Sequence, residues 1–338
     1  IIIFLKYIKK IMKPDVQCII ELTQNDVTLL LKLARELTEN PSENPDLFCK
    51  KAKQLSTLIP KHIKDELMHF SINGSQTGYF LLKNLPVENA PQTPSGNQFK
   101  VGEKTLLARM QAILISVFSE MIAYEAESYG RLFQDVVPIK SMSTVQTSLG
   151  SNTELEIHTE QAFSKLRPDF LSLSCLRGDS NASTYILPVG KIMDNITNDE
   201  MDLLRRPLWK TGVDLSFKLN GHEFIEGDIR GPLPILSGPV DDPRITFDQD
   251  LMTGICEESK KMVKRIVDIY YKHRNSHNLR PGEMIIIDNR RALHGRSPFY
   301  PLFDGLDRFL IRCFSTLDYI RSAYARINGT RTIAAIYS

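Results

Sequence analysis

The chain has little that would tie it to nucleic acid, to a membrane or to an oxidising compartment. Its 42 Lys and Arg nearly balance 40 Asp and Glu, a net charge of +2 over 338 residues. So balanced a charge implies no strong field toward nucleic acid or an anionic membrane. The five cysteines (Cys18, Cys49, Cys175, Cys256, Cys313) are scattered, odd in number and without a Cys-x-x-Cys pair. That favours reduced thiols in a cytoplasmic protein over a disulfide framework. Cys175 and Cys313 lie in apolar strand-like runs and are expected to serve as small buried hydrophobes. No internal repeat or low-complexity tract is present. The apolar stretch Ile1 to Ile11 is too short to span a bilayer and is broken by Lys6, Lys9 and Lys10. No small-residue cleavage site follows it, which argues against a secretory signal. Met12 is the expected natural start, with residues 1–11 an over-extended reading frame; a weak surface anchor is the alternative.

What is present suits a catalytic domain. At 38.5 kDa the chain can bury a large core as one domain or two. One is favoured, spanning 12–338, with a helical part to about 125 and a strand-rich core from about 136 to 318. Thr23 with Asp26 three residues on opens an apolar-periodic run through Leu37, a capped helix. Further helices are expected near 45–57 and 60–70, a strand at 78–82 and a long amphipathic helix over about 102–125. The segment 251–273 is expected to be helical, with acids early and bases late, matching the helix dipole.

The chemistry is carried by His158-Thr159-Glu160, His294 and Arg308. On a strand, His158 and Glu160 would point the same way, because side chains alternate faces. A second His from a distant strand would complete three ligands on one face of a metal. That leaves positions open, as expected of non-haem Fe(II) oxygenases. The tripeptide alone proves nothing: with 7 His and 40 acids, chance supplies about one His-x-acid match. Context raises its weight. Glu283 to Asp288 runs an apolar strand into a polar turn and then His294, and Arg308 follows fourteen residues later. A hairpin of that length would return Arg308 beside the metal. A buried Arg cannot shed its charge and needs an anion, which a dicarboxylate cosubstrate would supply.

The stretches Tyr129-Gly130-Arg131-Leu132 to Pro138, Glu156 to Phe163, Pro168 to Gly178, Phe247 to Met252 and His294 to Arg312 occur in order over about residues 124–316. In these the chain resembles the clavaminate synthase-like group of Fe(II)/2-oxoglutarate oxygenases, which includes hydroxylases of free arginine, asparagine and lysine. The family keeps Glu as the carboxylate ligand, and Glu160 agrees. The resemblance implies an α+β fold built on a distorted double-stranded β-helix, a cupin-like jelly roll with helices outside. It implies His158, Glu160 and His294 as ligands of Fe(II), with 2-oxoglutarate chelating the metal and O2 as oxidant. Arg308 would take the distal carboxylate, and Thr184 would add a hydrogen bond to it.

It further implies Arg312 for the substrate carboxylate, Glu127 beside the α-amino group and Ser148 as a polar contact. Asp248 and Asp250 fall where acids meet a cationic side chain in arginine-hydroxylating members. The implied substrate is free L-lysine or L-arginine. Glu127 stands where the arginine enzymes are expected to carry a neutral amide, which favours lysine, oxidised at C3 or C4. A different free amino acid, or one tethered to a carrier protein, is the alternative, and a sensor without turnover is the third. Structural readings stand beside these. Asp250 could cap the helix that follows, Asp248 could be a solvated turn residue, Arg312 could serve the sheet alone, and Glu127 could be a surface charge on the long helix. His62, His69, His222, His273 and His277 lack ligand spacing. The Gly- and Pro-rich segment 215–238 is expected to be a lid or an ordinary hairpin. Apolar residues on the N-terminal helices could form a homodimer face.

Overall fold

The computed structural model describes residues 19–214 and 229–337. Residues 1–11 and most of the lid candidate lie outside them. Strand β1 (Ile19–Glu21) leads into helices α1 (Gln24–Glu36), α2 (Pro45–Ser56) and α3 (Lys61–Asn73). The first begins as its residues specify. Thr23 Oγ1 accepts from the Asp26 N–H, and the Asp26 carboxylate accepts from the Thr23 N–H. In α2, Asn44 caps and Pro45 occupies the first turn, where its missing N–H costs nothing.

After β2 (Tyr79–Lys83) come α4 (Leu106–Ile115) and β3 (Glu120–Tyr124). The single long helix expected over 102–125 is therefore a short buried helix followed by a strand. Met110 to Ile115 are all buried, and so are Met121 to Tyr124. A largely apolar run, buried even at its polar Gln111, suits helix and strand alike, so the tertiary partner decides. Here Ile122 lies across from Phe314, and Tyr124 meets the Phe314 ring edge-on at 5.8 Å.

The strands that follow are β4 (Phe133–Val136), β5 (Leu155–His158), β6 (Phe170–Arg177) and β7 (Ser183–Pro188). Short helices α5 (Val189–Met193) and α6 (Asn198–Leu204) lead to β8 (Trp209–Gly212), β9 (Ile229–Leu233), β10 (Leu236–Ser237), β11 (Arg244–Ile245) and β12 (Met252–Gly254). Of the lid candidate, 229–233 and 236–237 are thus strand, paired with β8 and β11. Helix α7 (Glu257–His273) precedes β13 (Asn275–Asn278), β14 (Met284–Asp288), β15 (Ala292–Arg296), β16 (Phe309–Thr316) and β17 (Thr332–Ile333). The helix expected from 251 starts at 257 because Met252–Gly254 pairs with β8, and Cys256 with Ser259 makes the cap. Asp250 is accordingly not an N-cap.

The major sheet runs β1-β2-β14-β6-β16-β3-β17, with β4 also on β16, and the minor sheet runs β13-β7-β15-β5. From β5 to β7 and again from β13 to β16 the chain alternates between them: β5 minor, β6 major, β7 minor, and β13 minor, β14 major, β15 minor, β16 major. That winding is the double-stranded β-helix, a jelly roll. Two-residue periodicity divides the major sheet's side chains. Met284 and Ile286 face the helical layer, packing with Leu33, Phe48, Phe70 and Ile113, whereas Ile285 and Ile287 face the minor sheet. Each such buried Ile or Phe is worth about 1.5–3 kcal/mol relative to exposure. A third cluster closes the outer side of the minor sheet, where Ile157, Leu187 and Leu293 meet Trp209, Phe247 and Tyr270. No helix among the described residues is long and apolar enough to cross a membrane.

Candidate active site

In the minor sheet β15 runs antiparallel to β5 with His294 directly across from His158. Their rings stand 4.4 Å apart between centroids, tilted 54°. Glu160 Oε2 comes within 3.5 Å of His294 Nε2. One ligand atom from each of the three residues lies within 4.8 Å of the others, the one such grouping of His, Cys, Asp and Glu among the described residues. His158 Nδ1–H donates to the Glu156 carbonyl at 2.7 Å, which fixes the tautomer and leaves Nε2 as a donor for a metal. His294 Nδ1 is buried with no hydrogen-bond partner among the described residues.

Glu160 does not reach this point as a strand residue. β5 ends at His158, and Glu160 sits in the turn beyond it, before Gln161 with φ +54°. With no ladder to satisfy its backbone, Glu160 takes its partners from Asn289. The Asn289 Oδ1 accepts from Glu160 N at 2.8 Å, and its Nδ2 donates to the carbonyls of Glu160 at 3.2 Å and Pro168 at 2.8 Å. Asn289 follows directly on β14 and precedes His294 by five residues, so one side chain ties the two ligand-bearing segments together. Replacing Asn289 with Ala is expected to weaken metal binding about 10–100-fold, as loss of a residue that orients a ligand typically does. Titration of the metal-free protein with Co(II), followed by its visible absorption, measures this. Unchanged affinity would show that the clamp does not set the ligand.

All ten residues singled out from the sequence line one cavity of about 910 Å³, its open mouth included: Glu127, Ser148, His158, Glu160, Thr184, Asp248, Asp250, His294, Arg308 and Arg312. Arg308 arrives differently from the expected hairpin. β15 and β16 belong to different sheets, so the link from His294 crosses between them. Arg308 and Arg312 still share a face with Leu310 and Phe314, because side chains alternate along β16. Thr184 is buried and lies across from Arg296 in the minor sheet.

Glu127 is not on a helix surface. It is buried in the loop after β3 and forms an ion pair with Arg312. Arg312 also donates to Gln134 Oε1 at 2.7 Å and lies 3.6 Å from Glu160 Oε2, so it serves the cavity and not the sheet alone. Gln161 Nε2 donates to Glu127 Oε2 at 2.9 Å. Asp248 is likewise buried, in an isolated bridge with His158, and accepts from the Leu251 N–H at 2.8 Å; Asp250 is exposed. Residues that sequence reasoning missed are Glu156, Asp214 and Arg296, all lining the cavity. Glu156 and Arg296 each stand two positions from a ligand His on the same strand face, a signal available in the sequence. Asp214 had none.

The charges are sharply arranged. Burial pushes the Glu160 carboxyl up, but Arg312 and the two imidazoles outweigh it and bring it to about 2. Burial and the neighbouring His158 hold His294 neutral, near 4. Both are the states a divalent cation needs, since ligands must be deprotonated to bind. Glu127 stays above the usual carboxylate range because its burial exceeds the pull of Arg312. Burial likewise raises Asp248, Asp214 and Glu156, each pushed further by neighbouring acids.

This arrangement has known counterparts. The profile of the taurine catabolism dioxygenase TauD, TfdA family matches residues 75–314. The chain belongs to this family of dioxygenases. An L-lysine 3-hydroxylase from Catenulispora acidiphila is 45% identical to this oxygenase over 96% of the chain and 91% of the relative. An L-asparagine oxygenase from Streptomyces coelicolor is 31% identical over 91% and 92%. An asparagine oxygenase solved with Fe(II), 3-hydroxyasparagine and succinate superposes with a TM-score of 0.87 at 29% identity, covering 94% of this chain and 99% of that one. The oxygenase therefore depends on Fe(II) and 2-oxoglutarate. Its residues fit both: two imidazoles and an ionised carboxylate converge, one imidazole nitrogen is orphaned, and Arg308 forms no ion pair among the described residues. When bound, iron and 2-oxoglutarate supply the oxidising chemistry that places one oxygen atom from O2 into a C–H bond, releasing succinate and carbon dioxide. The chain's own part is to hold the metal by one face, aim the substrate and exclude water.

Proposed function

We propose that this oxygenase hydroxylates free L-lysine at C3. The observation that carries the reading is a set of four carboxylates, Glu156, Asp214, Asp248 and Asp250, lining one cavity with no ion pair to any Lys or Arg among the described residues. Such a concentration of acids beside a metal site is costly unless a cation arrives to meet it. A lysine ε-ammonium is that cation, and a neutral competitor leaves the carboxylates unpaired. The Glu127–Arg312 pair supports the other end. An α-carboxylate against Arg312 and an α-ammonium against Glu127 would form an antiparallel charge pair, with Ser148 as a further polar contact. Arg308, with Thr184, would receive the distal carboxylate of 2-oxoglutarate, a planar fork meeting a planar anion. Val136, Leu171, Leu173 and Leu310 give the same cavity an apolar wall that keeps water from the reacting carbon. The relative that oxidises lysine at C3 supports the choice of carbon. Free thiols at Cys49, Cys175, Cys256 and Cys313 support a reducing, cytoplasmic setting.

Lysine, arginine, ornithine, asparagine and leucine, each supplied with Fe(II), 2-oxoglutarate and O2, test the reading. Lysine is expected to give succinate and a product heavier by one oxygen, located at C3 by NMR. Turnover of arginine or asparagine with lysine inert would end it. Asp248→Asn is expected to lower kcat/KM for lysine about 10–100-fold, mostly through KM, because a charge-assisted contact is lost. The Asp248 carboxyl is raised by burial, so acidification should protonate it early and raise KM for lysine. The Asn variant should lack that rise.

A further inference from the structure

Two guanidinium groups, not one, line the cavity beside the Phe299 ring. Arg296 ends β15 and Arg308 directly precedes β16, so each sheet contributes one. Both are buried and both line the cavity. They flank a single ring: the guanidinium carbon of Arg296 lies 5.0 Å from the Phe299 centroid, and that of Arg308 lies 5.7 Å from it. Arg308 forms no hydrogen bond or ion pair among the described residues. Arg296 donates only to main-chain carbonyls: Nε to Ser297 at 3.1 Å, Nη1 to Ser148 at 3.3 Å and Nη2 to Thr153 at 3.4 Å. These bonds fix the group without neutralising it, and they leave guanidinium donors unused.

We propose that Arg296 is a second cation of the 2-oxoglutarate pocket and that the two guanidiniums together select a dicarboxylic over a monocarboxylic keto acid. A guanidinium cannot shed its proton, so both charges persist in a site of low dielectric. One carboxylate placed near both gains from the two fields at once, and a methyl group in its place leaves both cations unmet. Arg296 is held in advance by rigid carbonyl dipoles and need not reorganise when the anion arrives. The competing structural role is plain: Arg296 staples segment 148–153 to β15. The two roles differ in what they do to a keto acid that lacks the distal charge.

The test is titration calorimetry of the Ni(II)-loaded protein with 2-oxoglutarate and with 2-oxopentanoate, which has no distal carboxylate. Arg296→Gln is expected to weaken 2-oxoglutarate about ten- to a hundredfold and to leave 2-oxopentanoate nearly unchanged. Arg296→Lys keeps the charge but cannot reach all three carbonyls, and it is expected to keep most of the preference for the dicarboxylate. Equal weakening of both keto acids in the Gln variant, or a Lys variant as defective as Gln, would overturn the proposal. If thermal melts show that the Gln variant does not fold, the Lys variant decides: preference kept supports the second cation, preference lost overturns it. The inference rests on Arg308 receiving the distal carboxylate. Arg308→Gln is the separate control, because a preference that survives it would sink that earlier reading and not merely the role of Arg296.

Discussion

Alanine in place of His294 is expected to yield a folded chain that no longer retains Fe(II) and releases no lysine-dependent succinate. The expectation of a retained fold is physical. The imidazole is buried, neutral and carries an orphaned Nδ1, so its removal deletes a polar atom that gains nothing in the metal-free protein. Its strand partners bond through the backbone, which the substitution leaves alone. Metal binding is another matter. With His294 gone, the Glu160 carboxylate keeps Arg312 as its close charged neighbour, and the facial arrangement loses a third of its donors. Differential scanning calorimetry separates the two effects. The native protein should melt higher when metal is added, by mass action on the folded state. The variant should melt near the native metal-free value and not respond to metal. Undiminished succinate release, or an unaltered metal-induced shift, would refute the ligand assignment.

Arg312→Met is expected to cost both stability and activity, and a second substitution should recover only one of them. Glu127 is 4% exposed and Arg312 is 7% exposed. Removing the cation strands Glu127 in the interior, a loss of about 3–5 kcal/mol for a broken buried pair. Adding Glu127→Gln removes the stranded charge, and the double variant should regain most of that stability. Urea melts of the metal-free proteins measure the cycle. Activity should not return, because the double variant lacks both the anchor for a substrate carboxylate and the partner for an α-ammonium. Recovery of lysine turnover in the double variant would mean that the pair only holds the sheets together.

The site was legible in the chain to an unusual depth, and the reasons differ by residue. His158, Glu160 and His294 were legible as a metal triad because few residue types can do that chemistry, and Arg308 and Arg312 were legible as members of the same cavity because their order along the chain restricts the reading. Asp248 and Glu127 were legible only as alternatives, since a carboxylate near a turn has the same sequence signature whether it is solvated or buried. Asn289 and Asp214 were not legible at all. The role of Asn289 comes from completing the backbone bonds of a turn 129 residues away, and no local pattern announces such a partner. The fold was read with the same asymmetry. Capped helices such as α1 carry their own start signals, whereas the largely apolar run 106–124 and the stretch 252–254 took their form from strands far along the chain.

By itself, then, the order of amino acids determined which groups could hold a metal and an anion, where helices with explicit caps begin, and that strands dominate the second half. Tertiary structure alone decided that β15 and β16 enter different sheets, that Glu160 hangs from the Asn289 side chain, and that a second guanidinium stands by Phe299. The difference is one of range. Donor chemistry and caps act through atoms a few residues apart, while sheet membership and buried charge partners depend on which distant surfaces exclude water together.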